Sequence, residues 1–342
     1  MDRRQLAQTA SDLVARGKGI LAADESTGTM DKRLAQIGVP SNEANRRAWR
    51  ELLFTTPGLG RYLSGVILFD ETIRQQASDG KTMVEHLTAE AIRVGIKVDK
   101  GAVPLASSEE ELITEGLDGL RGRLEEYGRL GARFSKWRAV IKIGDRAPSA
   151  YCIHVNAHAL ARFAALSQAA GLVPIVEPEV LLDGRHDIAR CFDVTQAVQE
   201  RVFAELYEQR VFLEGILLKP SMVLSGKDAE ARASADEVAE ETLRCLRHTV
   251  PAAVPGIVFL SGGQADDEAT ENLDAINRLA RSRVAPWQLS FSFARALQMS
   301  PLELWAGKSA NQREAQAAFL ERARATSTAR GGEYAAAAER KV

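Results

Sequence analysis

Cysteine is scarce in this sequence. Cys152, Cys191 and Cys245 are the only three in 342 residues, and they lie far apart. An odd, scattered set argues against a disulfide framework or a CxxC metal site and points to free thiols in a reducing cytosol. Long apolar runs are missing too. A membrane helix needs about 20 predominantly apolar residues, and the least charged long stretch, Thr249 to Ala265, is broken by Pro251, Pro255 and several glycines. The start, Met1-Asp2-Arg3-Arg4-Gln5, leads into no apolar h-region, so no secretory signal is expected. Nor does one sign of charge dominate. With 44 Lys and Arg against 46 Asp and Glu, the net charge is −2 and the signs are interspersed. Neither nucleic acid nor an anionic membrane is therefore the expected partner.

Several catalytic signatures are absent as well. No GxGxxG follows the first strand-like run, and Gly307-Lys308-Ser309 has Leu302 where a P-loop needs its first glycine. No Ser-His-Asp arrangement is legible. His154 and His158 are four apart on a helix-compatible segment. They fall at a helix start with no carboxylate evidently beside them, so a solvated or capping role is expected and no metal is assigned.

What the chain does have is alternation. Eight apolar, strand-like runs recur at 19–23, 65–69, 95–98, 137–143, 172–176, 213–218, 257–260 and 287–291. Most are followed by helix-compatible segments rich in Ala, Arg, Glu and Leu, such as 157–170, 193–209 and 234–247. Such βα units argue for a parallel sheet. Their number and spacing favour a closed (β/α)₈ TIM barrel of the α/β class over an open doubly wound sheet, and the length accommodates the about 250 residues such a barrel needs. An amphipathic helix is expected ahead of it, from about Arg3 to Ala15, ended by Gly17. The barrel is expected to occupy residues 1–325 as one domain. A small-residue segment, 326–342, is expected to be a flexible tail.

In such a barrel the reacting groups stand at the C-terminal ends of different strands. Those ends carry Asp24 and Glu25; Asp70 and Glu71; Asp99 and Lys100; Lys136 and Arg138; Glu177 and Glu179; Lys219; and Ser261-Gly262-Gly263, with Arg295 just past the eighth. Strand alternation puts Lys136 with Arg138, and Glu177 with Glu179, on one face. Charges aimed into one barrel are costly unless they meet each other or a charged ligand. Lys219 ends the run Phe212–Leu218 and is followed at once by Pro220. There, desolvation disfavours the charged amine, and a neutral lysine attacks carbonyls to form a Schiff base. Ser261-Gly262-Gly263 reads as a backbone cradle for phosphate, strengthened by its place after the seventh strand with Arg295 after the eighth. A second anion site is read from Ser26, Thr29, Lys100 and Arg33. Two phosphate sites flanking an inward lysine suggest a carbonyl substrate phosphorylated at both ends.

The motifs LAADESTG (21–28), GIKVDKG (95–101), KWR (136–138), VEPE (176–179), LLKP (217–220) and FLSGGQ (259–264) resemble those of class I fructose-bisphosphate aldolase, in order, from about residue 5 to residue 330. The resemblance implies a metal-independent lyase without cofactor, usually a homotetramer, acting in the cytoplasm on a sugar bisphosphate in glycolysis and gluconeogenesis. It would cleave fructose 1,6-bisphosphate reversibly to dihydroxyacetone phosphate and glyceraldehyde 3-phosphate. By resemblance Lys219 is the Schiff-base lysine and Glu177 the acid/base of carbinolamine formation and dehydration, with Glu179 its partner. Asp24 takes part in proton transfer during cleavage, while Lys136 holds substrate oxygens and adds positive potential near Lys219. Ser261, Gly262, Gly263 and Arg295 match the C1-phosphate end; Ser26, Thr29, Arg33, Lys100 and Arg138 match the C6-phosphate end.

There are departures. Ala294 stands where many members have glycine, and a positive φ there would strain it. Thr29 replaces a common serine but keeps the hydroxyl. Animal members end in a tyrosine that assists enamine protonation; this chain ends at Val342, and Tyr334 is not terminal. Substrate preference and proton exchange are therefore expected to depart from the animal pattern. The alternatives are a broader ketose-phosphate aldolase, acting on sedoheptulose bisphosphate or fructose 1-phosphate, and a non-catalytic scaffold on the same fold.

Overall fold

The computed structural model describes residues 2–335. Eight parallel strands close into a barrel: β1 (Gly19–Ala23), β2 (Leu63–Leu68), β3 (Arg93–Lys97), β6 (Phe134–Ile141), β7 (Val173–Val180), β8 (Leu217–Leu218), β9 (Gly256–Phe259) and β10 (Gln288–Phe293). β10 returns to pair with β1, so no edge is left open. The two remaining described strands, β4 (Ala102–Pro104) and β5 (Leu112–Thr114), form an antiparallel hairpin after β3. The barrel strands are buried almost throughout, as a parallel sheet covered on both faces requires.

Period-2 alternation divides the apolar residues into two cores. Leu21, Ala23, Val66, Leu68, Trp137, Val176 and Phe291 face outward into the large cluster beneath the helices. Ile20, Ala22, Ile67, Phe134, Val173, Ile175, Leu217 and Val258 face inward, and there they meet Leu6, Ala10, Leu13 and Val14. Leu6, Ala10 and Leu13 line one face of the N-terminal helix Arg3–Leu13 and Val14 caps its end, so the helix plugs the N-terminal mouth of the barrel. Phe134 fills much of the interior. A Cβ at Gly95 would lie 2.2 Å from its ring, so only glycine allows that ring its place.

The inward parity carries on toward the other mouth. Beyond Ala22 comes Asp24; beyond Ile175 come Glu177 and Glu179; beyond Phe134 come Lys136 and Arg138; beyond Leu217 comes Lys219. The apolar residues fill the lower layers, and the charges line the open end.

Three boundaries differ from the sequence reading. Leu213–Gly215 is a 3₁₀ turn, so β8 keeps only two residues of the expected run. The turn is buried because the Gln168 amide donates to the carbonyls of Phe212 and Gly215 (2.8 and 3.1 Å) and accepts from the Phe212 N–H (2.9 Å). Glu177 and Glu179 sit within β7 instead of just past it, and β6 begins at Phe134, ahead of Lys136 and Arg138, instead of at 137, because the two strands pair over eight residues. Finally, the last helix runs from Gln312 to Arg330, past the tail boundary expected at 325. Thr326, Ala329 and Arg330 are buried, and the Arg330 guanidinium donates to the carbonyls of Val14, Ala15 and Lys18. Residues 336–342 of the expected tail lie outside the described residues.

Candidate active site

The C-terminal mouth of the barrel opens into a cavity of about 980 Å³. Its walls include every residue assigned to the site from sequence: Asp24, Ser26, Thr29, Arg33, Lys100, Lys136, Arg138, Glu177, Glu179, Lys219, Ser261, Gly262, Gly263 and Arg295.

At its base four groups form one electrostatic unit. Lys219 Nζ lies 3.1 Å from Glu177 Oε1, and Lys136 Nζ lies 3.2 Å from Glu177 Oε2 and 2.6 Å from Asp24 Oδ2. Lys219, Lys136 and Glu177 are each only 3% exposed, so these contacts act with little solvent screening. Burial alone would raise the Asp24 carboxyl, but Lys136 and then Lys219 outweigh it and hold the group well below its usual range. Burial likewise disfavours charge on Lys136, yet Asp24 and Glu177 keep its ammonium well above the ordinary lysine value. Glu177 is also lowered: burial opposes the anion, while Lys136, Lys219 and Arg138 favour it. Lys136 is thus matched by two carboxylates, which offset the positive potential expected of it toward Lys219.

One layer up, Arg138 Nε pairs with Glu179 Oε2, and the Arg138 backbone N–H donates to Asp99 Oδ2 at 3.3 Å. Ser26 caps the helix Thr27–Gln36, with its hydroxyl 3.2 Å from that of Thr29. Arg33 is drawn onto Glu25, and Lys100 stands exposed at the rim. On the other side Ser261 to Gln264 form a turn in which Gly263 adopts φ +83°. The N–H groups of Gly262 and Gly263 make no backbone hydrogen bond among the described residues. Arg295 stands exposed beside them and makes no ion pair among the described residues. Ala294 adopts φ −105°, so it carries no left-handed strain.

The sequence reading missed some of the wall. Lys97, partly buried against Asp99, lies two residues before it on the inward face. Ser292 lines the cavity with a buried hydroxyl that has no hydrogen-bond partner among the described residues. Alternation along β3 and β10 is the signal that would have found both. Glu25 is a structural clamp: it holds Arg50 (2.9 Å) and Arg33 and accepts from Gln298 (2.8 Å). Asp70 takes Arg74 and Tyr127, and Glu71 takes Arg46. His154 and His158 lie on the outer helix Ala150–Ala169, 3.3 and 3.1 Å from Glu205, a carboxylate 47 residues beyond His158 that no local motif links to them. No group of three or more His, Cys, Asp or Glu among the described residues is arranged to hold a metal ion.

A buried lysine beside a carboxylate, with anion-ready groups at both sides of the barrel mouth, defines a Schiff-base lyase on a (β/α)₈ scaffold. Residues 5–342 match the family model of class-I fructose-bisphosphate aldolase, described as glycolytic, and the chain belongs to that family. It is 57% identical over 335 residues to a probable fructose-bisphosphate aldolase class 1 of Xanthomonas axonopodis pv. citri (strain 306), covering 98% of this chain and 99% of that one. It is 54% identical over 330 residues to cytosolic fructose-bisphosphate aldolase 6 of Arabidopsis thaliana, covering 96% and 91%. A crystal structure of the Plasmodium falciparum aldolase, in complex with TRAP and a small-molecule inhibitor, superposes with TM-score 0.95 at 49% identity, covering 97% of this chain and 95% of that one. The chain is a class I aldolase that cleaves fructose 1,6-bisphosphate reversibly to dihydroxyacetone phosphate and glyceraldehyde 3-phosphate through a lysine Schiff base. Neither a non-catalytic scaffold nor a broader ketose-phosphate specificity finds support in these likenesses.

Proposed function

We propose that Lys219 is the amine that attacks the substrate C2 ketone. The observation that carries this assignment is its 3.1 Å contact with Glu177 in the buried unit at the barrel mouth. Transfer of one proton from the Lys219 ammonium to Glu177 yields a free amine and a carboxylic acid together. The amine adds to C2, and Glu177 gives its proton to the oxyanion formed there. Glu177 then takes a second proton from the carbinolamine nitrogen and passes it to the hydroxyl, which leaves as water. The resulting iminium accepts the C3–C4 electron pair as Asp24 takes the C4 hydroxyl proton. Asp24 is a weak base while Lys136 holds it. A substrate oxygen entering the Lys136 contact competes with Asp24 and raises its basicity when cleavage needs it. Glyceraldehyde 3-phosphate leaves first, the enamine takes a proton at C3, and hydrolysis releases dihydroxyacetone phosphate.

Glu179 orients Arg138. The Ser261-Gly262-Gly263 turn and Arg295 take the C1-phosphate, whose charge matches an arginine without an ion pair among the described residues. Ser26, Thr29, Arg33, Lys100 and Arg138 serve the C6-phosphate, and neither metal nor cofactor enters the scheme. Residues 1–325 and the helix end to Arg330 act as one catalytic domain, in a homo-oligomer, a tetramer by family likeness. The cytosolic names of the plant relatives and three buried free thiols support a cytoplasmic location. The test is borohydride reduction with dihydroxyacetone phosphate followed by peptide mass spectrometry. An adduct on Lys219 is expected; an adduct elsewhere, or none, overturns the assignment.

A further inference from the structure

Lys227 lines the cavity but belongs to none of the motifs discussed above. The chain stays buried from Leu217 to Gly226 and then emerges at Lys227 on the rim. Three backbone bonds fasten that point of emergence to the loop after β7. Gly226 N–H donates to the His186 carbonyl (2.8 Å), Lys227 N–H to Leu182 (2.8 Å) and Asp228 N–H to Gly184 (3.0 Å). The approach is close: a Cβ at Gly226 would lie 2.3 Å from the Gly184 carbonyl oxygen. Leu182, whose carbonyl takes the Lys227 N–H, also packs its side chain on Gly263, where a Cβ would lie 3.0 Å away. The backbone of Lys227 is therefore fixed relative to the Ser261-Gly262-Gly263 turn through a single intervening residue. Its side chain is not fixed. The ammonium rests on Asp183 in a half-exposed ion pair (side chains 49% and 63% exposed), and Arg295 lies close enough to oppose its charge.

We propose that Lys227 is a specificity-determining residue, a second cation for the C1-phosphate that is parked on Asp183 in the free enzyme and moves to the phosphate when substrate binds. The proposal rests on the assignment of the Ser261-Gly262-Gly263 turn and Arg295 to that phosphate. An exposed lysine–carboxylate pair is weak and easily exchanged. A phosphate dianion brings more charge and three acceptor oxygens, for which a lysine on a flexible stem is well suited. Asp183 keeps the ammonium at the rim, so the free site does not close on itself, and Arg295 and Lys227 repel each other until an anion joins them. Selectivity for ketoses phosphorylated at C1 follows.

The test is steady-state kinetics of Lys227→Met, Lys227→Arg and Asp183→Asn, with borohydride trapping in parallel. Lys227→Met is expected to raise KM for fructose 1,6-bisphosphate and for fructose 1-phosphate about tenfold, as for loss of one charge-assisted contact on an exposed rim, with kcat within about twofold. Lys227→Arg restores KM, and Asp183→Asn, which releases the lysine, lowers it. Unchanged KM values in Lys227→Met, or a fall in kcat alone, overturns the proposal. If wild-type enzyme and dihydroxyacetone phosphate give the Lys219 adduct while KM ignores Lys227, only the role of Lys227 fails. If wild-type enzyme gives no adduct, the underlying site assignment fails instead.

Discussion

Lys136 Nζ sits 2.6 Å from Asp24 Oδ2, and the same ammonium reaches Glu177 at 3.2 Å. One cation therefore holds two buried carboxylates apart. Removing one partner of a buried charge cluster leaves the others uncompensated, at about 3–5 kcal/mol. Lys136→Met should lose stability of that order by urea unfolding at pH 7, and the Asp24 carboxyl should rise toward neutrality. Lys136→Arg should retain most of the stability and little of the turnover. Equal stability of Lys136→Met and wild type would disprove the clamp.

The same pair sets a pH dependence whose sign follows from the two shifts. Asp24 is depressed below its ordinary value of 3.8. Its contribution is complete above that value and is lost as pH falls through the lower folded one. Lys136 is raised above 10.5, so its contribution is complete below 10.5 and is lost only in stronger alkali. Stability from this pair should be flat across neutral pH and fall on the acid side. Asp24→Asn should show a smaller drop in urea midpoint between pH 7 and pH 3 than wild type. The same drop in both would remove Asp24 from the acid transition.

Lys219→Met exchanges the amine for a side chain of similar volume that cannot form an iminium. Cleavage should fall at least about 10⁴-fold, as for loss of other covalent catalysts. Calorimetric binding of fructose 1,6-bisphosphate should survive, because the turn at Ser261–Gly263 and Arg295 does not depend on Lys219. Turnover within tenfold of wild type would exclude Lys219 as the nucleophile.

The legible parts of the sequence were those in which one physical rule acts alone. Gly-flanked apolar runs became strands, and period-2 alternation from Ala22 to Asp24, Ile175 to Glu177 and Leu217 to Lys219 aimed the charges inward. Where rules compete, the sequence is ambiguous. Phe212–Leu218 is apolar apart from Glu214, yet its first half is a turn, because a distant amide, Gln168, satisfies the carbonyls that a strand partner would have taken. The hairpin of β4 and β5 is partly exposed and has three residues to a strand, too few for a periodic pattern to mark it. Glu25 looked equivalent to Asp24, but it falls on the outward parity of β1 and meets Arg50 among the helices. Lys100 and Lys97 lie in one motif; alternation turns Lys97 inward against Asp99 and leaves Lys100 exposed at the rim of the cavity.

The far end of the molecule offers a test of where the catalytic domain stops. Arg330 lies at the barrel face opposite the cavity, where its guanidinium gathers the carbonyls of Val14, Ala15 and Lys18. Val14 and Ala15 close the helix that plugs the barrel, so this one side chain fastens the last helix to the first. Arg330→Ala leaves buried carbonyls without donors, which should cost about 2–4 kcal/mol from several lost bonds at once. Because no part of the cavity touches Arg330, kcat and KM at a temperature well below the melting transition should stay within about twofold of wild type, a span that cannot hide loss of a catalytic group. A chain cut after Ala325 loses Arg330 and the buried Thr326 and Ala329 as well, and should unfold at lower urea than Arg330→Ala. A chain cut after Tyr334 keeps all three, together with the Tyr334 N–H on Asp274 (2.8 Å), and should unfold at higher urea than the cut after Ala325. If the cut after Ala325 were as stable as the cut after Tyr334, the last helix would end functionally at 325, and residues 326–330 would play no part in holding the barrel plug.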